Sequence, residues 1–254
     1  MTRDQIIAAG AERLIQAHRQ GRPTPVPSDI PLAEEADAYA IQERVSATLG
    51  TPAGWKLGGI VRGETPRYSR LFREFNQASP GVCHRRDHQV VFLEPELAVV
   101  LGEAIPARAT PYTLAEIAPR VSGLHAAIEV VDSRFDSWPE VPALWQLADG
   151  LSHGGFVLGS GVAPGALDRL VDAEYRLTLD GQVALAGRGG HPGGDPAALL
   201  VEMINARLVR DGEGFAAGEV ITTGTFDGVV EMLAGQQARL VFAGIGEASL
   251  RLEP

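Results

Sequence analysis

The chain has 254 residues, 45% of them hydrophobic, with 22 Lys plus Arg against 32 Asp plus Glu, a net charge of −10. That length suits one large domain, or a main domain with a small appendage, built around a substantial core. The acidic balance, without a Lys/Arg cluster, argues against nucleic acid or an anionic membrane as the main partner, and Cys83 as the only cysteine excludes an intrachain disulfide and a cysteine-based zinc site.

The N-terminus, Met1-Thr2-Arg3-Asp4-Gln5, has no apolar signal core, and no apolar run approaches membrane-spanning length, so a cytosolic protein is expected. Thr2 with Gln5 reads as a capping box opening a helix through Ile6, Ile7, Leu14 and Ile15. After a Pro-rich break from Pro23 to Pro31, a second helix carries Leu32, Ala36, Tyr39, Ala40 and Val45 and ends near Gly50. Gly54 to Val61 reads as a short strand, followed by a polar, Arg-rich stretch from Arg62 to Arg86. An acid-bearing strand is expected from about Val90 to Leu101. A short helix capped by Thr113 and Glu116 then precedes a strand around Glu129. Tyr175–Leu179 and Val183–Leu185, joined by Asp180-Gly181, predict a β-hairpin. Asp195-Pro196 opens a helix to about Asp211, and the last forty residues read as short strands. Helices first, then strands with inserted helices, predict an α+β fold, with a helical region 1–52 and a β-rich metal-binding catalytic domain 53–254.

Within this frame, Glu94-Pro95-Glu96 leads into Leu97-Ala98-Val99-Val100-Leu101, and Glu129 sits inside Ala126-Ala127-Ile128-Glu129-Val130-Val131. Residues two apart on a strand point the same way, so Glu94 and Glu96 can project together. Acids in apolar settings repel one another unless a cation sits among them, and an all-oxygen ligand set suits Mg²⁺ or Mn²⁺. The plainer alternative is a pair of exposed strand-end acids and an unrelated glutamate.

Lys56, between Trp55 and Leu57, is a second candidate: desolvation would lower its pKa and suit it to proton transfer. A surface strand lysine whose stem covers apolar neighbours is the alternative. Ser152 offers a hydroxyl for a substrate carboxylate, or for nearby backbone groups. His153 beside it points the other way if the segment is extended, so a Ser-His triad is not supported. Gly187 to Gly194 resembles a phosphate loop only in its glycines, lacking the Gly-Lys-Ser/Thr ending, and reads as a mobile loop with Arg188 available to an anion. Thr225 adds a hydroxyl beside Gly224 at a strand end.

Taken in order, Ala38-Tyr39-Ala40-Ile41-Gln42, Gly54-Trp55-Lys56-Leu57-Gly58, Glu94-Pro95-Glu96, Ile128 to Arg134, Ala148 to Ser152 and Ile221 to Thr225 resemble the fumarylacetoacetate hydrolase superfamily, in its 2-keto-4-pentenoate hydratase / 4-oxalocrotonate decarboxylase branch. The resemblance spans most of the chain, and glutamate rather than aspartate at 129 favours that branch. It implies a mixed β-roll or barrel-like core, an N-terminal helical region and a homo-oligomer. It also implies Mg²⁺ or Mn²⁺ on Glu94, Glu96 and Glu129, with Lys56 and Ser152 as catalytic groups facing a small 2-oxo acid; Arg67, Arg188 and Thr225 are read beside it as candidate substrate contacts. The implied reaction is a metal-dependent hydration in aromatic-compound catabolism. Decarboxylation, acylpyruvate C–C hydrolysis and a non-catalytic binder are the alternatives. Two positions depart from the pattern. Arg67 stands where these hydratases carry an aspartate, which bears on water handling, and Asp195-Pro196 replaces a frequent His-Pro. Extra arginines suit a dicarboxylate.

Overall fold

The computed structural model describes residues 1–60, 62–165 and 167–254, with the backbone alone for Asp168 and Arg169. Two helices, α1 (Arg3–Gln20) and α2 (Glu35–Leu49), precede strands β1 (Pro52–Gly58), β2 (Arg67–Phe72), β3 (Asn76–Ala78), β4 (Gly81–His84) and β5 (Phe92–Leu101). Next come α3 (Leu114–Ile117), β6 (Val121–Val131), α4 (Ala143–Ala148) and β7 (His153–Val162). The hairpin strands β8 (Glu174–Leu179) and β9 (Gln182–Arg188) lead to α5 (Pro196–Asp211). The chain closes with β10 (Val220–Thr225), β11 (Val230–Glu231), β12 (Gln237–Phe242) and β13 (Gly246–Glu253).

Local chemistry sets several of these boundaries. Thr2 and Gln5 form the complete capping box of α1, and Thr113 and Glu116 do the same for α3. Asp195 caps α5 by accepting from the Ala197 amide, with Pro196 at the first helical position. The hairpin turns at Asp180-Gly181, both with positive φ. Elsewhere the boundaries move. Helix α2 starts at Glu35, leaving Leu32 outside, and β1 ends at Gly58, while Val61 lies outside the described residues. The Arg-rich stretch carries three strands, because β2 is held by antiparallel pairing with β1 rather than by its own apolar content.

The large sheet runs β2-β1-β10-β5-β6-β7-β3, with β11 added beside β5. Pairs β1–β10 and β3–β7 are parallel and the rest antiparallel, so this is a mixed sheet. A second sheet runs β4-β13-β12-β8-β9. The main core unites Leu14 and Ile41 from the N-terminal helices with Leu147, Leu200 and Met203 from later helices, and with Trp55, Leu57, Leu93, Leu97, Ile128 and Val157 on one face of the large sheet. A small separate cluster of Leu71, Ala98, Ala127 and Phe156 lies on the opposite face. That second face also carries Lys56, Glu94, Glu96 and Glu129, by the two-residue alternation of each strand. The expected mixed β core with an N-terminal helical region is therefore the observed architecture. No helix among the described residues is long and apolar enough to cross a membrane.

Candidate active site

Strand register brings the acids together. Glu94 on β5 lies directly opposite Glu129 on β6, and Glu96 lies opposite Ala127 on one side and Thr225 of β10 on the other. One carboxylate oxygen from each of Glu94, Glu96 and Glu129 falls within a 4.8 Å span. Glu96 and Glu129 are fully buried and Glu94 is half-buried, so strand-end acids in water is not what the fold makes of them. The buried Lys56 ammonium from β1 donates to Glu129 Oε1 and, at 3.1 Å, to the Leu151 carbonyl. His153 Nδ1 approaches the same Glu129 Oε1 at 3.3 Å.

These contacts reverse one expectation from sequence. Burial alone would lower the Lys56 pKa, but Glu129, Glu94 and Glu96 outweigh it, and the ammonium is held above its ordinary range. The acids move up as well. Loss of solvent and the charge of Glu129 raise Glu94 to about 7, and burial together with Glu129 and Glu94 raises Glu96 well above the usual carboxylate range. Removing water around several like charges produces both shifts.

Two backbone devices shape the site. Gly150, Leu151 and Ser152 are three consecutive residues at φ 64°, 57° and 58°. Non-glycine residues adopt this left-handed conformation only when their surroundings hold them there. Here the Gly150 carbonyl accepts from Ser69 Oγ at 2.9 Å, Leu151 from Lys56, and Ser152 from the Asp132 amide at 2.9 Å. The turn thus aims a carbonyl at the ammonium. It also overturns the extended geometry assumed for Ser152-His153, which is why the histidine ring reaches Glu129. The second device is a bulge in β10 between Thr222 and Thr225, with Gly224 at φ 82°. A Cβ on Gly224 would fall 2.5 Å from Ile60 Cδ1.

The remaining candidates are placed as follows. Ser152 is buried, and its Oγ has no hydrogen-bond partner among the described residues. Thr225 Oγ1 donates to the Asp227 carbonyl at 2.6 Å. Arg67 lies opposite Gly58 on the Lys56 face of the sheet and pairs with Glu35 at 2.6 Å. Arg188 sits at the end of the edge strand β9 of the second sheet, pairs with Glu174 at 2.5 Å, and is not brought to the glutamates. His153 is the residue that sequence reasoning passed over. Its only local signal is a histidine heading a strand after a glycine-containing turn.

The donor set fits a hard divalent cation. All three side chains offer oxygen, and Glu96 Oε1, Glu96 Oε2 and Glu129 Oε2 are buried without a hydrogen-bond partner among the described residues. Orphaned buried carboxylate oxygens are rare in folded proteins, and a cation bound among these side chains would offset their charge.

Comparison with known proteins gives the chain its relatives. The family model described as fumarylacetoacetate (FAA) hydrolase C-terminal matches residues 68–253. A 2-keto-4-pentenoate hydratase of Burkholderia vietnamiensis is 30% identical, covering 97% of both chains. A 4-oxalocrotonate decarboxylase of Pseudomonas putida is 27% identical over 99% of this chain and 98% of its own. The solved structure of 4-oxalocrotonate decarboxylase from Pseudomonas putida G7, complexed with magnesium and adipate, superposes with a TM-score of 0.83 at 25% identity, covering 99% of this chain and 98% of that one. A second structure of that enzyme, complexed with calcium and acetate, gives 0.82. The chain belongs to the fumarylacetoacetate hydrolase family.

Proposed function

We propose that this protein is a divalent-metal-dependent lyase that hydrates an unsaturated 2-oxo acid of the 2-keto-4-pentenoate type, in the breakdown of aromatic compounds. The observation that carries the reading is the set of orphaned oxygens on Glu96 and Glu129 beside the buried Lys56 ammonium. Glu94, Glu96 and Glu129 would hold Mg²⁺ or Mn²⁺, in keeping with the magnesium and calcium complexes of the decarboxylase neighbour. A bound cation supplies the positive charge that favours the enolate form of a 2-oxo acid.

The chain's own groups do the rest. An ammonium has three N–H donors, and with Glu129 and the Leu151 carbonyl taking two, Lys56 keeps one for a substrate oxygen or for delivering a proton. Ser152 Oγ, with no other partner among the described residues, is available to a substrate carboxylate, whereas Thr225 beside Glu96 would have to release the Asp227 carbonyl to donate there. Arg67, on the Lys56 face, would meet a distal carboxylate by leaving Glu35, whereas Arg188 on the second sheet is not placed for that role. Exposed ion pairs are worth only about 0–1 kcal/mol, so that exchange is cheap. In this scheme residues 53–254 form the catalytic domain, the helical segment 1–52 covers it, and the protein works in the cytoplasm as a homo-oligomer.

Arg67 favours a second reading. A guanidinium on the Lys56 face suits a dicarboxylate, and loss of its distal carboxylate as CO₂ through the same enolate would make a decarboxylase. Mixing the protein with 2-hydroxypenta-2,4-dienoate or 4-oxalocrotonate, with Mg²⁺ or after chelation, separates the two. A metal-dependent gain of water supports hydration, and metal-dependent CO₂ release supports decarboxylation. Turnover unaffected by chelation, or cleavage into two carbonyl fragments, overturns the proposal.

A further inference from the structure

Glu129 uses its two oxygens differently. Oε1 receives both the Lys56 ammonium and His153 Nδ1, whereas Oε2 is buried with no partner among the described residues. The two donors come from different strands, β1 and β7, so together they hinder rotation of the carboxylate. His153 is itself firmly held. It is buried, its backbone pairs in register with Val131, and its carbonyl accepts from Arg134 Nη1 at 2.7 Å. Arg134 is locked in turn by Asp149. His153 also lines a cavity of about 410 Å³ shared with His18, Cys83, His88 and Arg134, and its Nε2 is buried with no partner among the described residues. His153 therefore stands between Glu129 and this cavity.

We propose that His153 is a positioning residue that fixes Glu129 with Oε1 turned toward the protein, so that Oε2 is presented to the cation. This inference rests on the metal site proposed above. It does not depend on the charge of the ring, because both the neutral tautomer protonated at Nδ1 and the imidazolium donate from Nδ1. Groups that orient a metal-binding side chain in this way typically contribute 10–100-fold to metal affinity.

The test is Mn²⁺ binding to the full chain without substrate, followed by electron paramagnetic resonance, for the wild type, Glu96→Gln, His153→Ala, His153→Asn and His153→Gln. His153→Ala should bind Mn²⁺ about 10–100-fold more weakly. His153→Asn places an amide near the position of Nδ1 and should stay close to the wild type, whereas the longer His153→Gln should not. Added imidazole should enter through the cavity and strengthen binding by His153→Ala while leaving the wild type unchanged. Equal affinity in the wild type and all three His153 variants, with Glu96→Gln abolishing binding, overturns this inference and leaves the metal site standing. No Mn²⁺ binding by the wild type overturns both. Should His153→Ala fail to fold, the contrast between Asn and Gln decides: equal affinities there also overturn the inference.

Discussion

Two groups of buried charge meet at His153, one complete and one not. On the backbone side, Arg134 Nε reaches Asp149 Oδ1 at 2.6 Å, and its other nitrogens donate to the carbonyls of His153 and Asp149 at 2.7 and 2.9 Å. Asp149 Oδ2 accepts from Ser133 Oγ and the Arg134 amide, both at 3.0 Å. On the ring side, three glutamates share one lysine and leave oxygens of Glu96 and Glu129 unpartnered among the described residues. Both groups lost water on folding, but only in the first does each nitrogen and oxygen of the charged side chains find a partner in the chain itself. A saturated buried ion pair pins structure, whereas an unsaturated carboxylate cluster points to a component from outside the chain.

This contrast can be broken at either end. The largest effect on folding is expected from Arg134→Met, which strands the Asp149 carboxylate. About 3–5 kcal/mol of stability should be lost in denaturant unfolding, and Mg²⁺ should not restore it. Glu96→Gln should do the opposite, leaving the metal-free fold at least as stable while removing Mg²⁺-dependent turnover by roughly a thousandfold or more, measured as kcat/KM. If instead Glu96→Gln destabilises the metal-free protein as severely as Arg134→Met, the two clusters are alike and the distinction fails.

Metal itself should act on one cluster alone. At a concentration 100-fold above its Kd, Mg²⁺ adds about 2.7 kcal/mol, a Tm rise of roughly 5–11 °C for a chain of this length, and the rise should vanish in Glu96→Gln. The smallest effect is on pH dependence. Desolvation and Glu129 hold the folded-state pKa of Glu94 at about 7, above its ordinary 4.5. Between those values the unfolded chain has released a proton that the folded chain retains. The metal-free protein should therefore be more stable near pH 4.5 and lose that increment as the pH rises through about 7. Saturating Mg²⁺ should flatten the slope, and an equal slope with and without Mg²⁺ would separate Glu94 from the site.

Features encoded by neighbouring residues were legible in the sequence. The capping boxes at Thr2 and Thr113, the Asp180-Gly181 turn, the Asp195 cap and the alternation that aligns Glu94 with Glu96 all depend on a few adjacent side chains. Features that depend on partners distant in the chain were not. Strand β2 reads as polar loop because its pairing comes from β1, and the upward pKa shift of Lys56 needs glutamates from two other strands. The His153 contact was hidden because Leu151 and Ser152, neither a glycine, take a left-handed conformation imposed by Ser69, Lys56 and Asp132. Nothing in their side chains announces it.

The most direct test is diffraction from a crystal soaked in Mn²⁺, with an anomalous difference map calculated at the manganese edge. The account predicts one peak per chain, enclosed by the carboxylates of Glu94, Glu96 and Glu129 and in contact with Glu129 Oε2. A map empty at that point under saturating Mn²⁺, or a peak bound elsewhere while these carboxylates stay unligated, would contradict it.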